Sequence, residues 1–342
     1  MFGRLQSFFT RSRSPVLSDF EHFTRRLKKG LLAYDHSMSE AEKICLFLSM
    51  IELVEFEPHG FCNRRCSFCP NATAPIRRDK TPLDRALYCR LLAELAAMGY
   101  RGGVRFARYC EPLAFSGIVD YVVEARAALP ESEIDIVSNA DYLDRPLLDQ
   151  LVVAGLSVLR LSIYPDGHGE WTHDAVDAVV GRIAERLDFT PTVIHESATS
   201  RHWEFSHQGP RIFAVAQNLA CIGLDRGQSL PELIDPDYLR LSPCLFVFQN
   251  LTIDYTGALM SCCNFIGEIE AHHSAILARL ETPTSLLDAY FSLSSVAWRR
   301  ALVGVGPKSG LCASCKQKII TDPADLVRLG RIIDEQLQSM RL

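Results

Sequence analysis

From residue 51 onward, short apolar runs alternate with longer stretches whose apolar residues recur at helical spacing, the pattern of a parallel sheet with crossover helices. Residues 51–56 read as a first strand, followed at once by a cysteine-rich loop. Residues 82–98 predict a helix, because Leu83, Leu87, Leu91 and Leu95 recur every four positions on one face. Strands follow at 103–107, 133–137 and 157–163, alternating with helices at 118–128, 147–153 and 173–187. Ser138-Asn139-Ala140-Asp141 and Pro165-Asp166-Gly167 supply turn chemistry after the third and fourth strands. A fifth strand is expected at 190–194 and a sixth at 212–215. Such a series suits an α/β fold with an incomplete (β/α) barrel, in which reactive groups gather at the C-terminal ends of the strands. Near residue 235 the pattern changes to a hairpin at 250–260, around Asp254-Tyr255-Thr256-Gly257, followed by helices. The expected organisation is an N-terminal helical extension over 1–50, the barrel over 51–235, a small α+β unit with a β-hairpin over 236–320, and a C-terminal helix over 321–342.

Composition narrows the classes of function. Of the 342 residues, 48% are hydrophobic and 23% charged, so a sizeable core forms and wholesale disorder is excluded. With 36 Lys and Arg against 41 Asp and Glu, the net charge is −5, a poor match for non-specific nucleic-acid binding. The first 30 residues are locally basic: Arg4, Arg11, Arg13, Arg25, Arg26, Lys28 and Lys29 stand against Asp19 and Glu21. This suits a partner or membrane-surface contact, or a solvated helix face. The longest apolar run, Ile44-Cys45-Leu46-Phe47-Leu48-Ser49-Met50-Ile51, is too short to span a bilayer, and no signal-peptide pattern precedes it. A cytoplasmic protein with reduced thiols is therefore expected. Most of its twelve cysteines fall into tight groups, which in that compartment read as metal or cluster ligands rather than disulfides.

The first group is Gly60-Phe61-Cys62-Asn63-Arg64-Arg65-Cys66-Ser67-Phe68-Cys69-Pro70-Asn71, with C-x3-C-x2-C spacing directly after the first strand. Three thiolates on one loop wrap three corners of a [4Fe–4S] cubane and leave the fourth iron open. A structural zinc site wants four ligands, and no fourth follows nearby. Phe68, just before the third cysteine, suits a planar group beside the cluster. This loop resembles the hallmark of the radical S-adenosylmethionine (SAM) superfamily. The resemblance implies a partial (β/α)6 barrel, in which SAM chelates the open iron and yields a 5′-deoxyadenosyl radical that abstracts hydrogen. Arg108-Tyr109-Cys110-Glu111-Pro112-Leu113 resembles the family's Gly-Glu-Pro segment, with Cys110 where glycine is usual and Glu111 as the carboxylate for the SAM amino group. Ser138-Asn139 resembles a SAM-contacting turn. Arg160 and Ser162 share one face of the fourth strand by two-residue periodicity, and the resemblance implies an inward face toward the SAM ribose and carboxylate.

The second group is Cys244, then Gly257 and Cys262, then Cys312-Ala313-Ser314-Cys315. Four thiolates so arranged fully ligate a second [4Fe–4S] cluster, whereas a zinc ribbon wants a close pair in each half. The pattern C-x12-G-x4-C followed by C-x2-C resembles the twitch domain, the shortened form of the SPASM domain. No cysteine follows Cys315, which implies one auxiliary cluster rather than two. Cys263, beside Cys262, reads as a bystander or as a thiol hydrogen donor. Cys45, Cys89 and Cys221 are expected as small buried hydrophobes.

Twitch-bearing members of the family act largely on aminocyclitols and sugars of antibiotic-type natural products. The resemblance therefore implies a dehydrogenase that oxidises a secondary alcohol on a small carbohydrate, served by a flavodoxin- or ferredoxin-like reductant, with no nucleic-acid partner and no membrane span. Epimerisation, decarboxylation and peptide maturation are the alternatives within the family, and an iron–sulfur electron carrier is the non-enzymatic one. Arg160, Tyr164, His195 and Glu196 are the expected polar residues of the substrate pocket, with His195 or Glu196 as a base for the reacting hydroxyl. His168, Trp171 and His173, in the loop after strand four, are expected to cover it.

Overall fold

The computed structural model describes residues 18–72, 80–165, 169–207, 209–281 and 283–340. Arg4, Arg11, Arg13, Asp166, Gly167 and His168 lie outside the described residues. Two helices, α1 (Asp19–Leu27) and α2 (Glu40–Met50), precede the sheet, each opened by a serine capping box, Ser18 with Glu21 and Ser39 with Glu42. Then follow β1 (Leu53–Phe56), α3 (Arg85–Met98), β2 (Gly103–Phe106), α4 (Ile118–Ala128), β3 (Ile134–Ser138), α5 (Arg145–Ala154), β4 (Val158–Ile163) and α6 (His173–Leu187). These are the elements the periodicity predicts, with ends set by local chemistry. Asp84 and Asp144 accept from backbone N–H groups to start α3 and α5, and Gly99 and Gly155 end them in the left-handed conformation.

After α6 the course departs from the expected series. Strands β5 (Pro191–Ser197) and β6 (Ser200–Phe205) form an antiparallel hairpin, and β7 (Arg211–Gln217) takes the place beside β4. The stretch expected as the fifth barrel strand is thus the free edge of the sheet. Its exposed Thr192, Val193 and Ile194 have no covering layer among the described residues, while β7, with buried Ile212, Phe213 and Ala214, is apolar enough to sit in the interior.

Beyond β7 come short helices α7 (Leu219–Ile222) and α8 (Phe246–Gln249), then β8 (Asn250–Ile253), β9 (Ala258–Met260) and β10 (Ile276–Arg279). Helices α9 (Leu286–Tyr290), α10 (Leu293–Val303) and α11 (Pro323–Ser339) complete the chain. The expected hairpin is present as β8 and β9, with Gly257 at φ +81° in its turn. Strand β8 also pairs in parallel with β1, so the C-terminal elements extend the same ten-stranded sheet, ordered β10-β9-β8-β1-β2-β3-β4-β7-β6-β5. From β8 through β1, β2, β3 and β4 to β7 every pairing is parallel. A consecutive parallel run of this kind places all the C-terminal strand ends on one edge. The first cysteine group leaves that edge after β1; in the second group Cys244 precedes β8 and Cys262 follows β9, which runs antiparallel to β8.

At the opposite end the N-terminal helices pack onto the sheet. Tyr34 donates or accepts at 2.9 Å with Tyr290, and the Arg299 guanidinium lies 3.7 Å from the Tyr290 ring centroid while donating to the carbonyls of Val247, Tyr290 and Ser295. Cys45, Cys89 and Cys221 are exposed rather than buried: the first two lie on solvent faces of α2 and α3, the third on α7. No helix among the described residues is long and apolar enough to cross a membrane.

Candidate active site

The C-x3-C-x2-C loop leaves the end of β1 and is fastened to the turn after β3. Arg64 donates Nε and Nη2 to the two carboxylate oxygens of Asp141 at 2.7 and 2.5 Å, and Asn63 Nδ2 donates to the same group at 2.6 Å. Asn139 Nδ2 donates to Asn63 Oδ1 at 2.9 Å. A bidentate pair fixes direction as well as distance, so the loop is held at two adjacent residues. Burial pushes the thiols of Cys62 and Cys66 up to about 12 and about 11, and raises that of Cys69. Bare thiols there stay protonated at neutral pH; an electrophile such as iron is what would hold them as thiolates.

Glu111 is buried and serves as an acceptor for the turn opposite. Ser138 Oγ and the Asn139 N–H donate to its two oxygens at 2.7 Å each, and the Leu113 N–H donates at 3.0 Å. Burial nevertheless outweighs these bonds and lifts its carboxyl to about 6. His59 secures the same segment: its Nδ1 accepts from the Phe61 N–H at 3.0 Å, so Nε2 bears the proton and donates to the Glu111 carbonyl at 3.0 Å. Glu111, Ser138 and Asn139 are thus brought together beside the cysteine loop.

A cavity of about 770 Å³ opens next to that loop. Its wall includes Cys66, Phe68, Tyr164, Trp171, Gln217 and Asn218. Phe68 and Tyr164 stand 5.0 Å apart between ring centroids. The Tyr164 phenol is raised by burial and also engages Ser162. Trp171 Nε1 is buried without a hydrogen-bond partner among the described residues.

Three expected pocket residues lie elsewhere. Arg160 donates Nε to Asp135 at 2.5 Å, where Arg105 also donates Nη2 at 2.6 Å. Together these line a separate cleft of about 170 Å³ with Glu52, Glu133 and Asn250, at the N-terminal ends of the strands. The buried Asp135 carboxylate explains the placement, since two guanidinium groups neutralise it. His195 sits on the edge strand against His202, with ring centroids 4.7 Å apart, and Glu196 pairs with Arg201 and His173. Neither lines the cavity.

The four cysteines of the second group face one internal cavity, also lined by Arg240, Asn264, Phe265 and Gln317. Burial raises Cys312 to about 12 and Cys315 to about 11, and Cys262 is raised by its bond with Cys263 and by burial. Arg240, wholly buried, pins the loop: it donates to the carbonyls of Ser242, Pro243, Cys315 and Gln317 at 2.9, 2.8, 3.1 and 2.8 Å. Among the described residues no three His, Cys, Asp or Glu side chains form a group that could hold a single metal ion. A cubane, in contrast, spreads its thiolates over separate irons.

Sequence reasoning missed Arg226. Burial presses it downward, yet Tyr109, Cys263, Cys69 and Tyr164 around it keep its guanidinium charged. It lies near Cys69 of the first group and donates to Asn264, which lines the cavity of the second. It reaches there because Gly227, at φ +67°, lets the segment approach closely; a Cβ at Gly227 would lie 2.5 Å from Phe265 Cδ1. Nothing in the local pattern of 224–230 marks this residue. The Asn63 and Arg64 clamp was more legible, since both lie inside the cysteine motif.

Comparison with known proteins agrees with this arrangement. Residues 56–188 match the radical SAM superfamily model. A 107-residue stretch is 29% identical to the S-adenosyl-L-methionine-dependent 2-deoxy-scyllo-inosamine dehydrogenase of Niallia circulans, covering 31% of this chain and 42% of that protein's length. Among solved structures, BtrN in complex with AdoMet and 2-DOIA superposes with a TM-score of 0.52 at 17% identity, over 74% of this chain and 87% of that one. BtrN in an open conformation gives 0.51 at 16% identity, over 78% and 93%. At these identities the likeness is one of fold.

Proposed function

We propose that this chain, whose residues 56–188 match the radical SAM superfamily, oxidises a secondary alcohol on an aminocyclitol-type small molecule. The observation that carries the proposal is the pair of cysteine groups, one loop after β1 and four cysteines around one cavity, with the cationic Arg226 near Cys69 and hydrogen-bonded to Asn264 in the wall of that second cavity. The local likeness to a 2-deoxy-scyllo-inosamine dehydrogenase supports the substrate class.

In this reading Cys62, Cys66 and Cys69 hold a [4Fe–4S] cluster, and Glu111 accepts the amino group of SAM, with Ser138, Asn139 and Ser162 around it and Phe68 beside its base. A cluster and SAM held by these residues would supply hydrogen-abstracting radical chemistry, given an electron from an external flavodoxin- or ferredoxin-like protein. Tyr164, Trp171, Gln217 and Asn218 orient the substrate, and the unpartnered Trp171 N–H offers a donor to a hydroxyl. Oxidation of an alcohol removes one hydrogen atom from carbon, one proton from oxygen and one further electron. The charged Arg226 favours the deprotonated oxygen. Cys244, Cys262, Cys312 and Cys315 would hold a second cluster as the acceptor for the electron. The donor set fits: four half-buried thiols around one cavity, with Arg240 offsetting their charge when ionised.

The test is turnover of 2-deoxy-scyllo-inosamine by anaerobically reconstituted protein in deuterium oxide, with SAM and dithionite. A product lighter by two hydrogens, formed with 5′-deoxyadenosine, supports dehydrogenation. A product of unchanged formula carrying one carbon-bound deuterium means epimerisation and points to Cys263 as hydrogen donor. Absence of 5′-deoxyadenosine, with SAM and substrate both recovered, defeats the proposal.

A further inference from the structure

We propose that Asn264 is a positioning residue that sets the potential of the auxiliary centre by holding Arg226 beside it; this rests on the two-cluster reading above. Asn264 is buried and follows the ligand candidate Cys262 by two residues. Three independent contacts meet on it. Its carbonyl accepts from the Tyr109 hydroxyl at 3.0 Å, its Oδ1 accepts from Arg226 Nη1 at 2.8 Å, and its Nδ2 donates to Gln317 Oε1 at 2.5 Å. Tyr109 lies two residues before Glu111, and Gln317 two residues after Cys315. One residue thus joins three segments: its main-chain carbonyl holds the segment carrying the SAM-side carboxylate, and its side chain holds the cation Arg226 and the last cysteine loop.

The neighbouring contacts make the joint stiff. Arg108, at φ +100°, donates to the Phe265 carbonyl and to Glu57, the latter at 2.6 Å. A non-glycine residue at that angle persists only where its surroundings over-determine it. The Tyr109 N–H also donates to Glu57 at 3.2 Å, so both residues before Cys110 are tied to the buried carboxylate and the Cys262 loop together. Displacement of the Cys262 loop would therefore be felt at Glu111.

The electrostatic consequence has a definite sign. Reduction adds an electron to the auxiliary centre, and a guanidinium held nearby in a low-dielectric interior stabilises the reduced form. Among the described residues Arg226 donates to Asn264 Oδ1, and loss of that acceptor frees the cation to move away from the auxiliary centre. The auxiliary potential should then fall, shifting its oxidised-to-reduced equilibrium by about tenfold, roughly 59 mV for a one-electron couple.

Asn264→Ala and Asn264→Asp proteins, reconstituted anaerobically as full chains, test this by iron analysis and redox titration followed by electron paramagnetic resonance, without substrate. The expected result for Asn264→Ala is undiminished iron, an auxiliary potential lowered as above, and an unchanged spectral response of the SAM-side centre to added SAM. Asn264→Asp keeps the acceptor for Arg226, and Gln317 can turn its amide to donate. It should load iron even if the alanine variant does not, and the added negative charge should lower the auxiliary potential. Full iron with wild-type potentials in both variants overturns this inference alone. A wild-type protein that binds only about four irons overturns the two-cluster reading and this inference with it.

Discussion

Replacing Glu111 by glutamine should make the fold more stable at alkaline pH while removing the group assigned to SAM. The carboxyl titrates at about 6 in the folded chain against an ordinary value of 4.5, because burial outweighs its three hydrogen bonds. The folded state therefore binds this proton more tightly than the unfolded one. The stability it contributes is fully present below pH 4.5 and is lost as pH rises through 6. At about 1.36 kcal/mol per pKa unit the whole effect is about 2 kcal/mol, of which about 1 kcal/mol falls between pH 5 and pH 8. Glutamine has the shape of the protonated acid and does not titrate. Relative to wild type, Glu111→Gln should thus gain about 1 kcal/mol on going from pH 5 to pH 8. The assay is urea unfolding of both proteins, prepared identically under anaerobic conditions, at the two pH values. Equal shifts in both proteins would refute the argument, and so would a variant that loses stability relative to wild type as pH rises. A parallel SAM-binding measurement should show the cost of the exchange, since the amide cannot neutralise an ammonium.

Three further outcomes follow from single contacts. Arg240→Met removes the donors shared by two carbonyls of the Cys315 loop and two of the segment before Cys244, so iron analysis should fall from about eight to about four per chain while the SAM-side centre is retained. Asp141→Asn breaks the bidentate clamp on Arg64, and the KM for SAM in 5′-deoxyadenosine formation should rise about tenfold, corresponding to about 1.4 kcal/mol. Gly227→Ala forces a Cβ into the Phe265 ring at φ +67°, and thermal unfolding should show a loss of about 1–3 kcal/mol.

How much of this was legible depended on how local the governing physics was. The helices 118–128 and 173–187 were read to the residue, because heptad-scale apolar spacing determines which face packs and Thr172 caps the second of them. The order of the edge strands was not legible. Residues 190–194 and 212–215 both carry strand propensity, and only competition for the place beside β4 decides that the more apolar β7 enters and β5 stays outside. His195 and Glu196 left the expected pocket with that exchange.

The cysteine motifs were determined by sequence alone, since C-x3-C-x2-C needs only a short loop and ligand spacing is covalent. Glu111, Ser138 and Asn139 were named from motifs, and the tertiary structure joined them through hydrogen bonds of 2.7 Å. Arg160 illustrates the limit: alternation along β4 gives its face, but not that a buried carboxylate on β3 draws it to the far end of the sheet. Arg226 and Asn264 belong wholly to the tertiary structure. Their partners are far apart in the chain, and a hydrogen bond between such groups exists only after the sheet has assembled.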